Sequence, residues 1–141
     1  MRAGIRLACD VGSVRIGLAR SDPQGLLAVP LPAARADDPD GVLAVIAEFE
    51  PIEVIVGLPI SLDGSEGPAA ERARAWAGAL QARTEVPVRL CDERLTTIEA
   101  LRGLHAAGRT TRTSRSVIDS ASAVILLQAD LDAERAREGR A

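Results

Sequence analysis

The chain contains neither lysine nor tyrosine. All 17 of its basic residues are arginine, which beside so much alanine, glycine and valine reads as compositional bias of the genome rather than a functional choice. Phe49 and Trp76 are its only aromatic residues, and both sit on apolar helical stripes. Reading unpaired bases by stacking them on aromatic rings is therefore a poor fit, and recognition of a nucleic acid would have to rest on shape and phosphate. Two cysteines, Cys9 and Cys91, stand far apart with no CxxC and no Cys/His cluster, which excludes a zinc site. They read as small buried hydrophobes in a reducing compartment. No apolar run approaches the roughly 20 residues that cross a bilayer, and Met1-Arg2-Ala3-Gly4 carries no signal-peptide pattern. The expectation is a soluble, cytoplasmic protein with no membrane partner.

What is present is a globular composition. The 141 residues are 47% hydrophobic, enough for one well-buried core, and 1–141 reads as a single domain. The net charge of −3 argues against indiscriminate nucleic-acid binding, but the charge is unevenly spread. Residues 37–71 hold nine acids and no base, whereas residues 102–115 hold four arginines and no acid. A mildly acidic protein with one basic stretch can still grip phosphate locally.

Periodicity predicts the elements in order. Residues 5–10 form a first strand, with Ile5, Leu7 and Cys9 on one face. RIGLARS (15–21) and LLAVPLP (26–32) follow as short strands around the turn Asp22-Pro23-Gln24-Gly25. A helix over 39–50 carries the stripe Val42, Val45, Ile46 and Phe49. EVIVG (53–57) is almost uniformly apolar, as an inner parallel strand should be, and 58–67 is a loop. A helix over 68–83 presents Ala69, Ala73, Trp76 and Leu80. A fifth strand, 86–91, ends at Asp92-Glu93. Thr96 and Glu99 have capping-box spacing, so a helix runs from there to Gly108, and RTTRT (109–113) is a loop. A last helix spans 114–136, packing Val117, Ala121, Val124, Leu127 or Ile125, and Leu131 inward; the charged tail after Asp130 reads as a solvated helix end. The order β-β-β-α-β-α-β-α-α predicts an α/β fold, a mixed five-stranded sheet with three antiparallel strands, then parallel βα units, and helices on both faces.

In such sheets, sites form where strands end at their carboxyl edges. Asp10 follows the first strand and Asp92-Glu93 the fifth, while Asp119 lies inside the last helix with Ser122, Ala123 and Leu126 as its neighbours. Each acid alone has two readings: a helix cap or solvated residue, or a member of a cluster. Clustered carboxylates raise one another's pKa values, and a divalent cation removes that conflict. Oxygen-only donors suit Mg²⁺ or Mn²⁺, and two such ions about 4 Å apart can hold a phosphodiester and activate water. On that reading Gly12 would let the substrate backbone come close to Asp10.

The segments "DVGSVRIGLARSDPQGLLAVPL", "VIVGLPISLDGSEG", "VPVRLCDERLTT" and "IDSASAVILLQADLD" resemble the YqgF/RuvX family, described both as pre-16S rRNA nucleases and as Holliday-junction resolvase-like. The match runs in family order over residues 5–132. The resemblance implies an RNase H-like fold and metal-dependent phosphodiester hydrolysis by Asp10, Glu93 and Asp119, with Mg²⁺ or Mn²⁺ as cofactor. It favours Glu93 over Asp92, which stays open as the alternative. Better-known resolvases carry a second acid one turn into the last helix, where this chain has Ser122. Arg15 and Arg94 belong to the matched motifs and are candidates for phosphate contacts. Arg109, Arg112 and Arg115 lie on or beside the predicted loop, where they either hold a strand or are merely solvated; His105 reads as a surface helix residue. The implied partner is structured RNA (precursor rRNA) or branched DNA, bound by a monomer or homodimer. Two other classes compete: a non-catalytic nucleic-acid-binding domain, and an ATP-binding protein of the sugar-kinase and actin type, for which the chain has room for only one of two lobes.

Overall fold

The computed structural model describes residues 2–96 and 120–138. Its elements are β1 (Arg6–Val11), β2 (Arg15–Ser21), β3 (Ala28–Arg35), α1 (Pro39–Phe49), β4 (Glu53–Leu58), α2 (Pro68–Gln81), β5 (Val88–Asp92), a 3₁₀ turn (Glu93–Thr96) and α3 (Ala121–Glu138). The predicted helix over 96–108 lies outside the described residues, apart from Thr96 at the end of the 3₁₀ turn.

The sheet order is β3-β2-β1-β4-β5. β1, β2 and β3 pair antiparallel, and β4 and β5 join parallel to β1, the mixed sheet expected from the sequence. The turn at 22–25 forms for the reason its residues suggest. Gly25 takes a φ of +70°, and the Asp22 carboxylate accepts from the N–H groups of Leu26 at 2.7 Å and Leu27 at 2.9 Å. Both α1 and α2 begin at a proline, whose missing N–H is no loss in a first turn.

Strand alternation divides the core. Leu7 and Cys9 of β1, Ile16 and Leu18 of β2, and Val54, Val56 and Leu58 of β4 face α1 and α2, meeting Val42, Ile46, Ala70, Ala73, Ala77 and Leu80. Ala8, Ala19 and Ile55 face the other way, onto Ala123, Leu126, Leu127 and Leu131 of α3. Two helical stripes therefore differ from expectation. On α2 the buried line is Ala70, Ala73, Ala77 and Leu80, with Trp76 at its margin and Ala69 exposed. On α3 it is Ala123, Leu126, Leu127, Leu131 and Glu134; Leu127 and Leu131 face inward as expected, and Val124 packs half-buried against the same cluster. The acid at 134 masks the end of that stripe in the sequence.

The tail after Asp130 is solvated at its end, as expected, but not throughout: Leu131 and Glu134 are buried. Arg6, the first residue of β1 and only 1% exposed, donates to Glu134 Oε2 at 2.5 Å, and Arg2 donates to Glu134 Oε1. Arg89 of β5 bonds both Glu53 of β4, at 2.9 Å, and Asp130 of α3, at 3.0 Å. This network fastens α3 to the amino-terminal ends of the parallel strands. A second fastening lies at Ser120, fully buried. Its Oγ accepts from the Leu18 N–H at 3.1 Å and donates to the Leu31 carbonyl at 2.7 Å, next to the register shift between β2 and β3.

Candidate functional site

Period-two alternation puts residues 6, 8 and 10 of β1 on the α3 face, with 53, 55 and 57 of β4 and 89 and 91 of β5. Asp10 is thus the last residue of that face of β1; it lies inside the strand, not after it, and its register partner on β2 is Gly17. Glu93 immediately follows β5, at the start of the 3₁₀ turn. Its side chain folds back over β4 at Gly57, where any Cβ would overlap the carboxylate Oε1 and come within 3.0 Å of Cδ and 3.2 Å of Cγ. Glycine at 57 is what lets a carboxyl lie flat on the sheet there. The apolar run EVIVG ends on this residue for that reason, a signal the sequence offered and that went unread.

The Asp10 and Glu93 carboxyls lie close enough to share a hydrogen bond. Desolvation, then the charge of Asp10 and the closeness of its carboxyl, push Glu93 up to about 7. Burial also raises Asp10, against which the Glu93 carboxyl pulls down. Two half-buried carboxyls side by side offer hard oxygen donors, the chemistry that suits Mg²⁺ or Mn²⁺. Among the described residues no group of three or more His, Cys, Asp or Glu side chains is placed to hold a metal ion; Asp119 lies outside them, as do Arg109, Arg112, Arg115 and His105.

Asp92 and Glu93, adjacent in sequence, part company in space. Asp92 pairs with Leu58 in the β4–β5 register and so belongs to the opposite face. Its carboxylate accepts from the Arg94 backbone N–H at 2.8 Å and from the Arg94 guanidinium at 2.7 Å, which hold it below the usual carboxylate range. The same pairing engages Arg94 locally with Asp92. Arg15, by contrast, opens β2 and lines a cleft of about 270 Å³ together with Asp10, Gly12, Val14 and Gly17. Gly12, in the wall of that cleft, is also needed by the hairpin. Its N–H donates to the Arg15 carbonyl at 2.9 Å, and a Cβ there would stand 2.7 Å from that oxygen. Cys9 is fully buried and Cys91 half-buried, both free thiols, and Ser122 is exposed on α3. No helix among the described residues is long and apolar enough to cross a membrane.

Comparison with known proteins bears on this geometry at two levels. The RuvX family, described as Holliday junction resolvase, matches residues 4–133. Curated relatives named "Putative pre-16S rRNA nuclease" include one from Kineococcus radiotolerans, 54% identical and covering 96% of this chain and 75% of the relative. Another, from Thermobifida fusca, is 52% identical over 96% of this chain and 91% of its own length. Among solved structures, Thermus thermophilus RuvC in complex with a Holliday junction substrate aligns with a TM-score of 0.60 over 94% of this chain and 96% of that one, at 17% identity. That likeness shows the fold, which is RNase H-like as expected.

Proposed function

The chain belongs to the RuvX family, and on that premise we propose that it is a metal-dependent nuclease of the cytoplasm that hydrolyses phosphodiester bonds in the 5′ region of precursor 16S rRNA. The observation that carries the reading is the meeting of the Asp10 and Glu93 carboxyls on a glycine-cleared sheet edge.

Asp10 and Glu93 would hold Mg²⁺ or Mn²⁺, with Asp119 as the third acid. Ser120, the chain neighbour of Asp119, supports that assignment through its anchor on Leu18, the residue after Gly17. Bound there, the ion supplies Lewis acidity toward the phosphoryl oxygens and the attacking water. The residues of the chain do the rest. Gly17 and Gly57 keep the space beside the carboxyls clear of side chains, and Arg15 offers its guanidinium to a phosphate in the adjoining cleft. Arg94, engaged with Asp92, would have to leave that pairing to reach a phosphate, while Arg109, Arg112 and Arg115 would add contacts to the nucleic-acid backbone. In the reaction a water oxygen bonds to phosphorus, one P–O ester bond breaks, and the departing oxygen gains a proton.

Incubating the protein with 5′-extended precursor 16S rRNA and with a four-way DNA junction, with and without Mn²⁺ or Mg²⁺, tests this. Cleavage of the precursor is expected only with the ion. Asp10→Asn should lower the rate about a thousandfold, roughly 4 kcal/mol of transition-state stabilisation. Undiminished cleavage by Asp10→Asn, or indifference to the ion, would remove the acids from the chemistry. Preference for the junction would replace the substrate with branched DNA.

A further inference from the structure

The cleft beside Asp10 does not stop at Arg15. A second cavity of about 460 Å³, lined by Ser13, Val14, Arg15, Arg35 and Asp37, shares Val14 and Arg15 with it. Together they make one groove. Its wall is fixed, because the Ala36 N–H donates to the Val14 carbonyl at 2.8 Å and so ties the end of β3 to the hairpin tip. Arg15 and Arg35 are direct cross-strand partners. Opposed residues of an antiparallel pair project from one face, here the face of Asp10 and Gly17. From β1 to β3 is two strand spacings, about 10 Å. A nucleic-acid strand covers that in about three nucleotides at roughly 3.4 Å each.

Arg35 is already folded as a phosphate ligand would require. Its Nε and Nη2 each donate to an oxygen of Asp37 at 3.0 Å, a fork closed on two anionic oxygens. Both side chains are largely exposed, at 77% and 69%, so the pair adds little to the fold and opens readily. A phosphate presents the same two oxygens to the same fork.

We propose that Arg35 is a second backbone-phosphate contact for the strand bound at the acids, two to three nucleotides from the scissile bond, with Asp37 as a counter-ion that yields to the phosphate. The assignment rests on the nuclease reading, extends it to the groove and names the ligand: the phosphodiester backbone of one nucleic-acid strand.

The test uses Asp10→Asn protein, to separate binding from cleavage, and a labelled RNA spanning the 5′ processing site, titrated at several salt concentrations. Adding Arg35→Gln should weaken binding several-fold and reduce the salt slope by about one. Arg35→Lys should recover part of the affinity, and Asp37→Asn should tighten binding. A methylphosphonate two or three nucleotides from the scissile bond should weaken the Arg35 protein and leave Arg35→Gln unmoved. In otherwise unaltered protein the Arg35→Gln effect should fall on KM rather than kcat. Parent-like affinity and salt slope in Arg35→Gln would overturn the subsite while leaving the nuclease reading standing. Cleavage that fails in the parent, with RNA binding and its Arg35 dependence intact, would overturn the nuclease reading and keep the subsite. Absence of any RNA binding would overturn both.

Discussion

One face of the sheet carries acids at both ends, and the two ends treat them oppositely. At the amino-terminal ends of the parallel strands, Glu53, Asp130 and Glu134 interleave with Arg2, Arg6 and Arg89. The guanidiniums outweigh burial there and hold Glu53 and Glu134 below their ordinary values. Two residues further along each strand lies a thin apolar belt of Ala8, Ile55 and Cys91. Two further still, the Asp10 and Glu93 carboxyls meet beside Gly17 and over Gly57, and both are raised. The same strands, the same face and the same kind of side chain thus give a clamp at one end and an unbalanced pair of carboxyls at the other. Charge balance holds α3 down; the unbalanced pair is the one the proposed function assigns to a cation.

The largest expected effect is at the clamp. Glu134→Ala leaves Arg6, almost wholly buried, without its main counter-charge, and should cost about 3–5 kcal/mol in urea unfolding. Cleavage per folded molecule should hold, because the acids stand beyond the apolar belt of Ala8, Ile55 and Cys91. Replacing both partners, Arg6→Met with Glu134→Leu, should recover most of the loss. A single variant as stable as the parent would mean that the network is decoration and that the comparison fails at this end.

Gly57→Ala probes the other end. The added methyl must push the Glu93 carboxyl off β4. A displacement of about 1 Å in a reacting group costs on the order of a hundredfold in rate, with a smaller penalty from overpacking. The expected signature is a fall in kcat with near-parent unfolding. Unchanged kcat would show that Glu93 does not need its perch on β4.

The two ends also differ in how far the sequence disclosed them. The mixed sheet and the turn at 22–25 were legible because each is announced locally, by alternation or by turn residues; strand ends announced Asp10 and the Asp92-Glu93 doublet, and only the family resemblance favoured Glu93 of the two. The clamp was not legible. Arg6 sits between Ile5 and Leu7 like any solvent-facing residue of an alternating strand, and its partner lies 128 residues away. Only the tertiary packing of α3 makes that position buried, and Leu131 and Glu134 are the two residues of the charged tail that it takes out of solvent.

The smallest effect, less than about 1 kcal/mol per pH unit once solvent screening is allowed for, has opposite signs at the two ends, which makes it the sharpest comparison. A carboxyl depressed by folding stabilises the protein above its unfolded value, and that stability is lost as pH falls through the folded value. Glu53 and Glu134 are depressed from 4.5, so they should produce acid unfolding below about pH 4.5. A carboxyl raised by folding works the other way. Glu93, raised from 4.5 to about 7, keeps a proton that the unfolded chain releases, so stability should fall as pH climbs between those values. Denaturation in chelator from pH 3 to 8 should therefore show a maximum near pH 5. Glu93→Gln, which removes the titrating group, should flatten the alkaline limb and leave the acid limb in place, whereas Asp10→Asn, which removes the neighbouring charge but not the burial, should flatten it only in part. Mn²⁺ should flatten it in the parent by taking the place of the proton. An alkaline limb equally steep in Glu93→Gln would mean that the proton belongs to some other group, and the contrast between the two ends would dissolve.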